Sequence, residues 1–235
     1  MTLNAQILAV DNDPQMLGMM GKLISQTGAT PRCVASSPLA ADLVDRDKFE
    51  GVFLDWQMPE MSGAELVQRI RRSKRNTRSP IIMLSRIGNP SARKEGFRAG
   101  INLSMEKPLS ILQFRHLLRA SRALMFEERR RHYRAPVLET VTCQWDKRRV
   151  EGQSVNLSTS GILLSLEKTP PQGAEVYVKF TLPDSSYRIS LPAKVARVTP
   201  EGQVGLRFFG VKHEVRERMT NFVDLSLRRA TRFYY

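Results

Sequence analysis

The hydrophobic period of this 235-residue chain changes near residue 134, so one fold class cannot accommodate both parts. Before that point, short apolar runs at 6–10, 51–54 and 81–85 each end at a polar or turn residue, as buried parallel strands do. Between and after them, 15–26, 38–45, 63–72 and 91–99 carry apolar residues at helical spacing. The alternation predicts an α/β unit, a doubly wound parallel five-stranded sheet with helices on both faces. Residues 110–131 read as one long helix whose stripe Leu112, Leu117, Leu118 and Leu124 gives way to Glu127, Glu128, Arg129, Arg130 and Arg131.

After residue 134 the runs 137–145, 150–156, 161–166, 175–182, 187–198 and 204–209 are β-rich and separated by turn material such as Asp146-Lys147 and Thr199-Pro200-Glu201-Gly202. Six strands at short intervals predict a small antiparallel β-barrel. A helix at 215–229, with Met219, Phe222, Val223 and Leu225 on one side, closes the chain. The expected organisation is two domains, 1–125 and 126–235, joined by a long helix at about 110–131. The terminal Phe233-Tyr234-Tyr235 is read either as a frayed end or as a docking surface.

Charge narrows the partners. The net charge is +14, and the parts before and after residue 125 carry +7 each, so an anionic partner is implied and no basic tail has been attached to a neutral body. Cys33 and Cys143 have no ligand-spaced neighbours, which excludes the common zinc patterns and a disulfide framework. No window has the ~18 apolar residues of a membrane span, and the N-terminus lacks a secretory signal, so a cytoplasmic protein is expected. His116, His132 and His213 lack the partners of a hydrolytic triad, and no enzyme is expected.

In open parallel sheets the site lies beyond the carboxyl ends of the strands. The residues there are Asp11, Asn12 and Asp13, then Asp55, Ser85, and Lys107 before Pro108. Converging carboxylates repel, and a hard divalent cation with oxygen ligands resolves the repulsion. A phosphoryl group entering such a pocket needs the cation, a lysine and a hydroxyl.

The segments Val10-Asp11-Asn12-Asp13-Pro14, Phe53-Leu54-Asp55-Trp56-Gln57-Met58-Pro59, Ile82-Met83-Leu84-Ser85 and Lys107-Pro108 together resemble the receiver domain of two-component response regulators. The resemblance implies Asp55 as phosphoacceptor and Ser85 and Lys107 on the phosphoryl oxygens. It also implies Mg²⁺ held by Asp55, Asp11, Asp13 or Asn12 and the Gln57 backbone carbonyl, and a cis bond before Pro108. Two positions depart from the family pattern: Asn12 stands where an acid is usual, and Ser104 where an inward-folding aromatic is common.

The second part offers Arg129-Arg130-Arg131-His132-Tyr133-Arg134, then Asn156-Leu157-Ser158-Thr159-Ser160-Gly161. Arginine forks bind phosphate and the Hoogsteen edge of guanine bidentately. Together the segments resemble the PilZ domain, whose signature is Arg-x-x-x-Arg followed by Asp/Asn-x-Ser-x-x-Gly. Arg130 and Arg134 fill the first element, and Asn156, Ser158 and Gly161 the second. Gly205-Leu206-Arg207-Phe208 is similar to the family's late strand. The resemblance implies cyclic di-GMP as ligand, with Arg129 stacking on a second nucleotide.

The resulting expectation is a response regulator and cyclic di-GMP effector. It would take phosphate from a histidine kinase or phosphotransfer protein and act through an unknown downstream protein target. Rival readings are a DNA-binding transcriptional regulator, disfavoured because no helix-turn-helix pattern follows residue 135, and a degenerate receiver serving as scaffold for a cyclic di-GMP sensor.

Overall fold

Five short parallel strands open the fold of the computed structural model, which describes residues 5–183, 185 and 187–230. Phe233-Tyr234-Tyr235 lie outside the described residues. The elements run β1 (Gln6–Val10), α1 (Pro14–Gln26), β2 (Thr30–Val34), α2 (Ser37–Arg46), β3 (Gly51–Asp55), α3 (Gly63–Arg72), β4 (Ile81–Arg86), α4 (Pro90–Ala99), β5 (Leu103–Lys107) and α5 (Ile111–His132). The sheet order is β2-β1-β3-β4-β5, all parallel, as the alternation of apolar runs and amphipathic stretches requires. Val52, Phe53 and Leu54 are buried, because helices cover both faces of the sheet. One face packs Leu8, Val10, Leu54 and Met83 against Leu66 and Ile70 of α3; the other packs Ile7, Ala9 and Phe53 against Met20 and Phe114. The chain order reverses between β1 and β3, so their carboxyl ends flank the crevice where such sheets place their sites.

Local chemistry fixes the helix starts. The Asp13 side chain accepts from the Gln15 N–H and caps α1 ahead of Pro14, and Ser62 with Glu65 forms a reciprocal capping box on α3. On α5 the buried face is Phe114, Leu117, Leu118, Ser121, Met125, Glu128 and Arg129. Leu112, expected on that stripe, is 62% exposed; it lies about half a turn of helix away from Phe114, which anchors the face.

The second unit comprises Arg130–Arg229. It contains β6 (Ala135–Pro136), β7 (Thr140–Trp145), β8 (Arg148–Ser158), β9 (Gly161–Leu166), β10 (Glu175–Thr181), β11 (Arg188–Val198), β12 (Gln203–Phe208) and α6 (His213–Ala230). Strands β8-β7-β10-β11-β12-β9 form an antiparallel ring that β8–β9 pairing closes, giving the expected six-stranded barrel. The run expected as one strand at 137–145 begins as β7 only at Thr140. The buried Ser154 hydroxyl accounts for the irregular stretch before it, accepting from the Glu139 N–H and reaching the Val137 carbonyl. β6 pairs with β8 at Ala135 and Pro136 and was not anticipated, since two residues carry no period.

Alternate residues fill the barrel: Val176, Val178 and Phe180 from β10 and Val204, Leu206 and Phe208 from β12, with the Phe180 and Phe208 rings stacked at 6.3 Å. On α6 the buried stripe is Met219, Val223 and Leu227, spaced four apart, whereas Leu225, expected on it, is 56% exposed. No helix among the described residues is long and apolar enough to cross a membrane.

Candidate functional sites

The first site lies at the carboxyl ends of β1, β3, β4 and β5. Asp11 follows β1, Asp55 ends β3, and both are buried, as is Ser85 near the end of β4. Lys107, the last residue of β5, bridges the two carboxylates: its Nζ is 2.7 Å from Asp11 Oδ2 and 2.8 Å from Asp55 Oδ2. The Lys107-Pro108 bond is cis, as the resemblance implied. The remaining carboxylate oxygens are held by the backbone, with Asp13 N–H donating to Asp11 Oδ1 at 3.0 Å and Gln57 N–H to Asp55 Oδ1 at 3.1 Å.

These contacts set the electrostatics. Burial pushes the Asp11 carboxyl up, against the opposing pull of Lys107 and the Asp13 N–H. Burial also works against the charge on Lys107, but the two carboxylates outweigh it and hold its ammonium above the usual lysine range. Two carboxylates face one ammonium, so the set carries an excess negative charge when both acids are ionised, which favours entry of a cation.

Not every predicted residue converges. Asn12 and Asp13 are exposed, and the Asp13 carboxylate is occupied in capping α1. Among the described residues there is no cluster of three or more acids, histidines or cysteines positioned as a metal site. Gln57 Oε1, two residues past Asp55, is buried with no hydrogen-bond partner among the described residues, which leaves a neutral oxygen donor unused. Oxygen donors of this kind suit Mg²⁺, which keeps several of its waters and needs few protein ligands.

The second site is a cleft of about 250 Å³ on the barrel wall, lined by Arg134, Asn156, Ser160 and Gly161 with Ala196, Arg197, Gly205 and Arg207 among others. Two register shifts frame it, one in β8 between Ser154 and Asn156 and one in β11 between Val195 and Arg197. Such bulges re-aim side chains out of strict alternation, and here they leave Asn156 and Arg197 on the cleft. The Arg134 guanidinium is pushed below the usual arginine range, first by burial and then by the positive charge of Arg197. Two cations facing one another in a half-buried cleft favour an anion between them.

Ser158 supports the cleft without lining it. It is buried, its hydroxyl donates to the Gly161 carbonyl at 3.0 Å, and it thereby closes the two-residue turn between β8 and β9. A side chain at Gly161 would overlap the Leu206 carbonyl oxygen, so glycine lets β9 lie close against β12 at the cleft floor. Arg130 does not line the cleft; its Nη1 is 3.3 Å from Asp224 of α6, and Tyr133 Oη is 3.0 Å from Ser226 Oγ on the same helix. Arg129 lies within the first unit, its side chain only 8% exposed and paired with Glu50.

Arg197 was missed by the sequence reading, and Arg207 was noted only as part of a strand. Nothing in the local sequence marks Arg197, because its approach depends on the β11 bulge and on pairing across the barrel.

Two architectures thus follow one another, a doubly wound sheet with an acidic pocket and a small barrel with an arginine-lined cleft. Residues 7–119 match the family model of the response regulator receiver domain, and residues 128–225 match that of the PilZ domain. The chain thus carries an N-terminal receiver domain and a C-terminal PilZ domain.

Among curated proteins it is similar to the transcriptional regulatory protein SrrA of Staphylococcus aureus (strain NCTC 8325 / PS 47), 27% identical over 177 residues and covering 72% of each chain. Among solved structures it is similar to the receiver domain of sensor histidine kinase PA1611 from Pseudomonas aeruginosa PAO1, solved with a magnesium ion in its active site cleft. That match has 22% identity, covers 50% of this chain and 97% of that one, and has a TM-score of 0.46. Chemotaxis response regulator CheY4 of Vibrio cholerae matches at 24% identity over 50% of this chain and 98% of that one, with a TM-score of 0.48.

Proposed function

We propose that this chain integrates two signals, phosphorylation at Asp55 and cyclic di-GMP binding at the barrel cleft, and converts them into control of a downstream protein partner. What carries the reading is the pairing on one chain of the Lys107-bridged Asp11–Asp55 pocket and the Arg134–Arg197 cleft.

In the receiver, an Asp55 carboxylate oxygen attacks the phosphorus of a phosphohistidine on a histidine kinase or phosphotransfer protein. An acyl phosphate forms as the histidine nitrogen leaves. Lys107, already within ion-pair distance of both acids, moves its charge onto the incoming phosphoryl oxygens. The buried Ser85 hydroxyl hydrogen-bonds another of them. Asp11, Asp55 and Gln57 would hold Mg²⁺, which supplies charge neutralisation for the transferring group. Asn12 and Asp13 stay outside this set or act through water.

In the barrel, Arg134 with Arg197 and Arg207 neutralises the two phosphates and presents forks to guanine edges. Asn156 hydrogen-bonds the nucleotide. Ser158 and Gly161 shape the turn and the close strand approach that leave room for it. Arg130 of the arginine motif joins the ligand by exchanging its Asp224 contact for a phosphate. The domains are taken as 1–125 and 126–235 joined through α5, and such a chain works where its phosphodonor and nucleotide are found, in the cytoplasm.

The receiver half is tested by labelling with acetyl phosphate and Mg²⁺: wild type is labelled and Asp55→Ala is not, and equal labelling removes Asp55 from its role. The barrel half is tested by Arg197→Ala, which lowers cyclic di-GMP affinity about tenfold or more, the scale for losing charge-assisted bonds.

A further inference from the structure

Residues 73–80 join α3 to β4, and three small polar side chains spaced three apart along them, Ser73, Asn76 and Ser79, are buried. Each ties the loop to the body of the first unit. Ser73 Oγ donates to the Val44 carbonyl at 2.7 Å, Asn76 Nδ2 donates to the Val44 and Asp47 carbonyls at 2.7 Å each, and Ser79 Oγ donates to the Phe49 carbonyl at 2.6 Å. From α3, Arg71 Nη1 donates to the Thr77 and Ser79 carbonyls at 3.0 and 2.8 Å. With the inner positions fixed, Arg72, Lys74, Arg75 and Arg78 are all exposed. None of the four has an ion pair among the described residues, and no acidic residue stands between Glu65 and Glu95.

We propose that this loop is a docking surface for an acidic segment of a partner protein. The inference rests on the downstream-protein reading and names the face through which that contact is made. Four like charges held on one short loop repel one another, and an anion from outside relieves them. The nearby acids of α2 and its end do not: Asp45 is taken by Arg69, and Asp47 stands between Arg46 and Lys48. Arg72, Arg75 and Arg78 present planar forks that match carboxylates bidentately. The loop has no aromatic residue to stack a nucleic-acid base and no apolar side chain to enter lipid. Its buried anchors hold it in shape before a partner arrives, which lowers the ordering entropy that docking costs.

Fluorescence anisotropy of the full chain with a dye-labelled polyglutamate peptide at low salt is expected to show saturable binding. Arg72→Gln/Lys74→Gln/Arg75→Gln/Arg78→Gln is expected to weaken it about tenfold or more, the summed scale of several exposed charge pairs. Arg32→Gln/Lys147→Gln/Lys168→Gln/Lys179→Gln removes the same charge from exposed positions elsewhere and is expected to stay within about twofold of wild type. Should the fourfold loop variant not fold by circular dichroism, Lys74→Gln/Arg75→Gln gives the same readout at about threefold. Equal weakening by the loop and control variants overturns the role of the loop. A DNA duplex or phosphatidylserine vesicles that bind through the loop more tightly than the peptide overturn the protein occupant. Absence of peptide binding by wild type overturns the docking surface and leaves the two-signal reading standing. Calorimetry with cyclic di-GMP on the same samples reads that claim separately: peptide binding through the loop without nucleotide binding keeps the docking surface and overturns the two-signal reading.

Discussion

Lys107→Met removes the ammonium that bridges Asp11 and Asp55 and replaces it with a chain of similar bulk. The three side chains are 16%, 0% and 6% exposed, so two carboxylates are left facing each other with little water to screen them. Breaking a buried ion pair costs about 3–5 kcal/mol. Lys107 is partly hydrated and Asp11 can take up a proton, so about 3 kcal/mol is expected at pH 7, or a fall in Tm of about 10 °C for a unit of this size.

The pH dependence has a definite sign. In wild type the Lys107 pKa is raised, so its contribution is present through neutral pH and lost only as pH rises beyond the usual lysine range. In the variant, Asp11 keeps the burial that raises its pKa and loses the Lys107 contacts that lowered it. Its neutral form is then favoured, and the penalty shrinks as pH falls from 7 toward 5. Mg²⁺ replaces the missing charge and stabilises Lys107→Met more than wild type, by up to about 2.7 kcal/mol at a hundredfold excess over its dissociation constant. Thermal melts at pH 5 and 7, with EDTA and with Mg²⁺, read all three effects. A loss below about 1 kcal/mol, equal at both pH values and indifferent to Mg²⁺, would refute the reasoning.

Other outcomes are as definite. Gly161→Ala drives a methyl group into the Leu206 carbonyl and is expected to destabilise the barrel by about 1–3 kcal/mol in urea melts while weakening cyclic di-GMP binding. Met125→Ala empties a fully buried position on α5 and is expected to cost about 2–5 kcal/mol in the receiver. Native protein is expected to give one titratable thiol, exposed Cys33, because burial pushes Cys143 up to about 11; a second appears on unfolding in urea.

The receiver was legible because its signals are local. Asp11, Asp55 and Ser85 stand at or near the ends of apolar runs and Lys107 ahead of Pro108, so all four could be picked out in order, and Lys107 pairs with both acids. Asp13 illustrates the limit: as a residue type it suits a cation, but its position just ahead of Pro14 also makes it a helix cap, and the cap is what its carboxylate does here. The barrel was legible in its strands and turn. The partners of Arg134 were not, because Arg197 reaches the cleft through a bulge and a cross-barrel register that no local pattern encodes. Arg129 shows a related limit. Adjacency in sequence suggested a role at the nucleotide, whereas its carboxylate partner is 79 residues earlier in the chain.

The account stands most directly on calorimetric titration of the full wild-type chain with cyclic di-GMP, alongside Arg134→Ala. Saturable binding by wild type that is lost in Arg134→Ala is the predicted result, and a wild-type chain that takes up no nucleotide contradicts it.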